Sequence, residues 1–208
     1  GAIISLTADR PLTGPAVPPP APTEPPPAVE YDPTARTYVM EGLKVVLPTA
    51  PFRCDTQPRD VPGVFPSSFG CTAPVHIDYN EEKSDWVAAT GMGLVDEELK
   101  LDPDLTAIAA LTFNAVVVRN YDLDEITIKK RKTERLAEIA PEGKALLVSA
   151  EIHYDYRGLP STYDRVVVAV FALESGRHAA WYALRPNDSP KDVTEALGAS
   201  ARTVTARK

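Results

Sequence analysis

Proline crowds the first part of this chain: Pro11, Pro15, Pro18, Pro19, Pro20, Pro22, Pro25, Pro26, Pro27 and Pro33. Each proline lacks a backbone N–H and holds φ near −65°, so the run fits neither a helix interior nor the middle of a sheet. Between the prolines stand too few large apolar side chains to build a core. Residues 1–36 therefore read as a stiff, extended stalk. At roughly 3.1 Å per residue such a stalk reaches on the order of 60 Å, a spacer through a thick envelope layer. Ahead of the prolines stands a short apolar stub, Ala2-Ile3-Ile4-Ser5-Leu6, which is too short to span a bilayer. The stalk behind it favours reading the stub as the outer end of a membrane anchor that continues upstream of Gly1. The remnant of a signal peptide and an ordinary strand are the other readings.

Residues 37–208 are expected to form one domain of ordinary size. Of the 208 residues, 44% are hydrophobic and 25% charged, which is enough apolar material for a core. The net charge of −7 argues against nucleic acid or an anionic lipid surface as the main partner.

Cys54 and Cys71 are the only cysteines. An even pair behind a stalk is expected to form a disulfide in an oxidising compartment. Roughly 16 residues separate them, and closing a loop of that size contributes roughly 3 kcal/mol. The intervening segment carries Pro58, Pro62, Gly63, Pro66, Ser67, Ser68 and Gly70, and is expected to have little structure of its own. Two unrelated buried thiols are the alternative.

Hydrophobic periodicity predicts the remaining elements. Tyr38–Met40 and Leu43–Leu47 flank Glu41-Gly42 as a hairpin ended by Pro48. Pro74–Tyr79 and Trp86–Val95 read as strands. Asp102-Pro103-Asp104 is a helix start, with an acid cap and a proline in the first turn. Leu105, Ile108, Ala109, Thr112 and Val116 share a face of that helix, but Val116-Val117-Val118 prefers a strand and leaves its end open. Ile126–Lys130 reads as a short strand or edge. Lys144–Tyr156 alternates, with Leu146, Val148, Ala150, Ile152, Tyr154 and Tyr156 facing one way. Ser149, Glu151, His153 and Asp155 face the other. Tyr163–Leu173 is nearly all apolar, as a central strand is, and Arg177–Arg185 follows, so the three form an antiparallel meander. A last helix is predicted from Ser189-Pro190-Lys191-Asp192, with Ser189 as cap. Its apolar stripe is Val193, Ala196, Leu197, Ala201 and Val204, and Arg202, Arg207 and Lys208 stand near its negative end. The sum is an α+β domain: an antiparallel sheet with helices packed on it.

No arrangement of chemistry-bearing residues stands out. His76, His153 and His178 are far apart in sequence and lack zinc-ligand spacing; His153 and His178 both fall on sheet strands, where the choice is between a meeting in space and two separate polar-face histidines, and the latter is preferred. Ser175 is a turn residue without a nucleophile-elbow motif, and no glycine-rich phosphate loop occurs. The acids Glu81-Glu82, Asp96-Glu97-Glu98, Asp102, Asp104, Asp122 and Asp124-Glu125 lack the order of a calcium loop and read as solvated loops and helix starts. Lys129-Lys130-Arg131-Lys132 with Arg135 is either a contact for anionic headgroups or an acidic partner, or the charged guard of an edge strand; the last is preferred. Tyr154, Tyr156, Tyr163, Trp181 and Tyr182 concentrate aromatics on adjacent strands, mostly as core. Glu151 and Asp155 share a strand face, the one candidate carboxylate pair for hydrolysis of cell-wall material.

Three stretches carry a family resemblance: the opening hairpin Gly42-Leu43-Lys44-Val45-Val46-Leu47-Pro48, the pair Trp181-Tyr182, and the lead into the last helix, Asn187-Asp188-Ser189-Pro190-Lys191-Asp192. With the proline-rich lead, they resemble the PsbP-like exported proteins of actinobacteria. That group includes Lpq-type lipoproteins and the alanine- and proline-rich secreted antigen of mycobacteria. The resemblance implies a PsbP-like fold, export and envelope association, usually without enzymatic activity, and transfers no site residues.

The functional expectation is a non-enzymatic, extracytoplasmic module without cofactor or metal. It is tethered to the membrane or secreted, and binds an envelope component or a protein partner through a sheet face or the cysteine loop. A carrier holding a lipid or glycolipid between sheet and helix is the alternative, and a cell-wall hydrolase the third.

Overall fold

The computed structural model describes residues 17–21, 28–141 and 144–206. Most of the expected stalk, residues 1–16 and 22–27, lies outside them, as do Arg207 and Lys208. Residues 17–20 are exposed and have no regular structure.

The domain is α+β. A small antiparallel sheet of β1 (Glu30–Asp32), β2 (Thr37–Met40) and β3 (Leu43–Val46) runs in sequence order. The folded part thus takes in residues ahead of Thr37: Tyr31 pairs with Tyr38, and Val29 is buried. The main antiparallel sheet contains β4 (Arg53–Cys54), β5 (Arg59–Val61), β6 (Phe65–His76), β7 (Trp86–Leu94), β8 (Ile126–Arg135), β9 (Ala145–Tyr154), β10 (Tyr163–Ala172) and β11 (His178–Pro186). Its order is β4-β6-β7-β11-β10-β9-β8, with β5 pairing onto β6. Two helices complete the chain, α1 (Leu105–Asn120) and α2 (Lys191–Ala201).

The hairpin β2–β3 and the meander β9–β10–β11 stand where periodicity predicts them, because local alternation and the turns between strands are enough to set them. Other boundaries move. The segment between the cysteines is not structureless: it holds β5 and the first half of β6. Strand β6 starts at Phe65 and ends at His76, nine residues ahead of the expected Pro74 start and short of Tyr79. Helix α1 is capped by Asp104, whose carboxylate accepts from the Thr106 N–H, and it continues through Val116-Val117-Val118 to Asn120. Val116 and Val117 are buried against the sheet, and that packing outweighs their preference for a strand. Strand β8 runs to Arg135, well past Lys130. Ser189 does not cap α2; its hydroxyl donates to the Pro186 carbonyl, and Pro190 occupies the cap position without a side-chain bond. Val204 packs beyond the end of the helix.

Two apolar clusters lie on opposite faces of the main sheet. One joins α1 (Ile108, Phe113, Val116, Val117) to Val148, Ile152, Val166, Val168 and Val170. The other joins the small sheet (Tyr38, Met40, Leu43) and α2 (Val193, Leu197) to Met92, Ala169, Phe171 and Trp181. Helix α2 is tied to the small sheet as well: Ser200 donates to the Val46 carbonyl, and Lys44 bridges to Thr205. Among the described residues no helix is long and apolar enough to cross a membrane.

Candidate functional site

Cys54 and Cys71 are directly opposed on β4 and β6, and they form a disulfide. Asp55 follows on that ribbon. Its carboxylate accepts from the Gly70 N–H and the Arg59 guanidinium, each at 2.9 Å. The Tyr38 hydroxyl donates to the Asp55 carbonyl, which links the small sheet to the bridged ribbon. Burial, then the nearby Asp55, holds the Tyr38 hydroxyl well above its ordinary value.

The ribbon forms one wall of a cleft whose other wall is the C-terminal half of α1. Its volume is about 340 Å³. Val61, Phe65, Val87, Ala89, Val116, Tyr182 and Leu184 line it, with the exposed side chains of Arg59, Asp60, Arg119 and Asn120 at the mouth. Glycines shape the floor. Phe65 and Tyr182 stack with centroids 5.6 Å apart, lying over Gly70, Gly91 and Gly93. A Cβ at Gly91 would stand 2.4 Å from the Phe69 carbonyl oxygen and 2.6 Å from the Tyr182 hydroxyl; one at Gly93 would stand 2.4 Å from the Phe65 ring. Only glycine lets both rings lie flat on β6 and β7 and leaves the space above them open. Burial pushes the Tyr182 hydroxyl up to about 12, so it stays a neutral phenol.

The densest polar constellation lies on the same face of the sheet, around Asp164. This carboxylate is 2% exposed. It accepts from the Tyr154 hydroxyl at 2.5 Å, the Tyr121 hydroxyl at 2.6 Å and the Trp86 indole N–H at 3.2 Å. Burial raises the Asp164 carboxyl above its ordinary value, and the three donors partly offset the rise. Tyr121 and Tyr154 are raised by burial first and by the Asp164 charge second. Next to it Ser161 donates to Asp188 at 2.5 Å, and His76 meets the other Asp188 oxygen at 2.8 Å. Burial pulls Asp188 upward, but the bonds from Ser161 and His76 prevail and its carboxyl lies below its ordinary value. Ser, Asp and His are present here in the wrong order for hydroxyl activation. The aspartate stands between serine and histidine, so His76 does not reach the Ser161 hydroxyl, whose proton is held by the weakly basic Asp188 carboxylate. The network pins the end of α1 to β7, β9 and β10.

The sequence-derived candidates separate in space. His153 faces Tyr163 at one end of β10 and His178 faces Ala172 at the other, so they do not meet. Glu151 is buried and engaged by Lys130 and His153, each at 2.9 Å, and these bonds hold its carboxyl below the ordinary range. Asp155 is exposed past the end of β9. Four residues of extended chain separate it from Glu151 by roughly 13 Å, more than the roughly 5 to 9.5 Å of paired glycosidase carboxylates. Asp96, Asp104 and Asp122 cap short helical turns or α1 with their side chains, and no metal-holding cluster occurs among the described residues. The basic run lies on β8, which is the edge of the sheet. Of the aromatics, Tyr154 and Trp181 are buried, and Tyr156, Tyr163 and Tyr182 are half-buried. The meeting of Asp164, Trp86, Tyr121 and Asp188 is not legible in sequence, because they stand far apart along the chain and share no local motif.

Comparison with known proteins finds no matching family model, no matching curated protein and no matching solved structure.

Proposed function

We propose that this protein is a non-enzymatic binding module working outside the cytoplasm, presented on its proline-rich stalk and reached through the α1 cleft. The observation that carries the proposal is the cleft itself, about 340 Å³ with an apolar floor and a polar, charged mouth, walled by the bridged ribbon. Ligand sites run from roughly 300 to 1,000 Å³. This one is at the small end, so it suits an apolar side chain of an envelope partner better than a whole lipid. The disulfide supports an oxidising compartment. The resemblance to PsbP-like exported proteins points the same way.

A photo-crosslinking residue at Arg119, on the mouth of the cleft, tests this in the native host. A discrete adduct is expected there and none from the same residue at Glu195 on α2. Identical products from both positions, or none from Arg119, would sink the proposal.

A carrier is the second reading, favoured by a separate cavity of about 530 Å³ at the far end of β10, lined by Leu43, Ala140, Phe171 and Leu173. Native mass spectrometry of secreted protein decides it: a bound mass above that of the chain supports a carrier.

A further inference from the structure

On the sheet face opposite α1, a second cleft of about 270 Å³ opens between α2 and strands β10 and β11. Val167, Trp181 and Ala183 line its sheet side, and Thr194, Leu197, Gly198 and Ala201 its helix side. Arg165 and Arg185 also line it, and they are directly opposed in the β10–β11 register. Like charges facing each other across a strand pair destabilise a sheet. Neither guanidinium has a side-chain hydrogen bond or ion pair among the described residues.

The carboxylate placed to relieve them is committed elsewhere. Glu151 is the register partner of Arg165, but its two oxygens are held by Lys130 and His153. Lys129 continues the same cross-strand row on β8. A third guanidinium, that of Arg202, lies within 3.5 Å of where a Gly198 Cβ would stand. Against a chain of net charge −7, this cleft is locally cationic. The indole N–H of Trp181 is buried with no hydrogen-bond partner among the described residues.

We infer that this cleft binds a small amphiphile with an anionic oxygen-bearing head. Arg165 and Arg185 clamp the head as two forked donors, and the apolar tail lies on Val167, Ala183 and Leu197. The anion supplies the charge that the opposed arginines lack, and the small residues Gly198 and Ala201 leave room for the tail. The site lies on the other face of the sheet from the α1 cleft and stands or falls without it.

Calorimetric titration of the purified chain with octyl phosphate, inorganic phosphate and neutral octyl glucoside tests this. Octyl phosphate is expected to bind at least tenfold more tightly than either of the others. Arg165→Gln and Arg185→Gln are each expected to weaken it tenfold or more while the melting temperature holds or rises, because the like-charge opposition is relieved. Gly198→Leu fills the cleft while leaving Arg165 and Arg185 in place, its Cβ meeting only the Arg202 guanidinium at 3.5 Å, and is expected to abolish tail binding. Lys129→Gln, on the row but outside the cleft, is expected to change affinity less than threefold. The inference is overturned by equal binding of octyl phosphate and inorganic phosphate, by equal binding of octyl glucoside, or by full affinity in the double glutamine variant. Should the variants fail to fold, the Trp181 indole N–H resonance of the unaltered chain decides: a saturable shift with octyl phosphate supports the site, and no shift overturns it.

Discussion

The two faces of the main sheet are closed by different means. Toward α1, one helix covers the strands, and scattered polar groups converge on a single buried carboxylate, Asp164, that satisfies three aromatic donors. On the opposite face the cover comes in two pieces, the small sheet and α2, joined to each other by Ser200 and Thr205. That face is braced by the Cys54–Cys71 bridge beside Tyr38, and it leaves the Arg165–Arg185 strip open. A polar network loses heavily when one member is removed, because each orphaned donor stays buried. A face built from apolar contacts and a cross-link loses in smaller, separable amounts.

Breaking the comparison begins with Asp164→Ala. It leaves the Tyr121 and Tyr154 hydroxyls without their acceptor, while the Trp86 indole N–H keeps its 3.0 Å bond to the Tyr154 hydroxyl, and a loss of about 3 to 5 kcal/mol is expected in denaturant unfolding. A loss below about 1 kcal/mol would show that the network does not hold the α1 face. On the other face, the double variant Cys54→Ser with Cys71→Ser is expected to cost about 3 kcal/mol, the value for opening a loop of this length. Reduction of the unaltered protein should give the same shift. An unchanged midpoint after reduction would mean that Tyr38 and its neighbours brace that face unaided.

A smaller effect is expected from His178, at the start of β11 beside Glu97 and Lys100. Burial first, and Lys100 second, hold its imidazole below the ordinary 6.5. The folded state therefore binds this proton less readily than the unfolded chain. Its contribution is present above the unfolded value and is lost as pH falls through 6.5 toward the depressed folded value. Stability measured from about pH 7.5 down to about pH 5 should fall, and His178→Gln should flatten that part of the profile. Asp164, held above its ordinary value, works with the opposite sign and at more acidic pH, so the difference between the two chains isolates the histidine. A slope identical in both chains would remove His178 from the account.

The smallest change sharpens the comparison from the α2 side. Gly198 lies inside α2, and a Cβ there would meet only Arg202 Nη1, at 3.5 Å. Gly198→Ala is expected to stabilise the protein by about 0.5 to 1 kcal/mol through helix propensity. The same substitution at Gly91, on the α1 face, meets the Phe69 carbonyl oxygen at 2.4 Å and is expected to destabilise the fold. Thermal unfolding of the two variants side by side reads the sign. Stabilisation at both positions would contradict the close packing of Phe65 and Tyr182 on β6 and β7.

Much of the fold was legible in the chain, for a physical reason. Hairpin β2–β3, strands β9 to β11, the Asp104 cap of α1 and the cysteine pair are written in residues close in sequence, where periodicity, turn chemistry and capping act. Strand β6 was half missed because its prolines and glycines read as loop; pairing with both β5 and β7 made it a strand. The α1 cleft has no counterpart in the sequence reading. Its floor depends on Gly91 and Gly93 meeting rings from β11 and β6, which no local pattern announces.

By itself the sequence determined that a proline-rich lead precedes an α+β domain, that the domain's core lies in alternating strands, and that two cysteines are available to bridge. Tertiary structure alone decided which polar groups meet. Asp164 collects donors from β7, β9 and the end of α1, and Arg165 faces Arg185 only because β10 and β11 pair in one register. Secondary structure follows from interactions a few residues long, whereas contacts between distant elements are set by strand register and packing of the whole sheet.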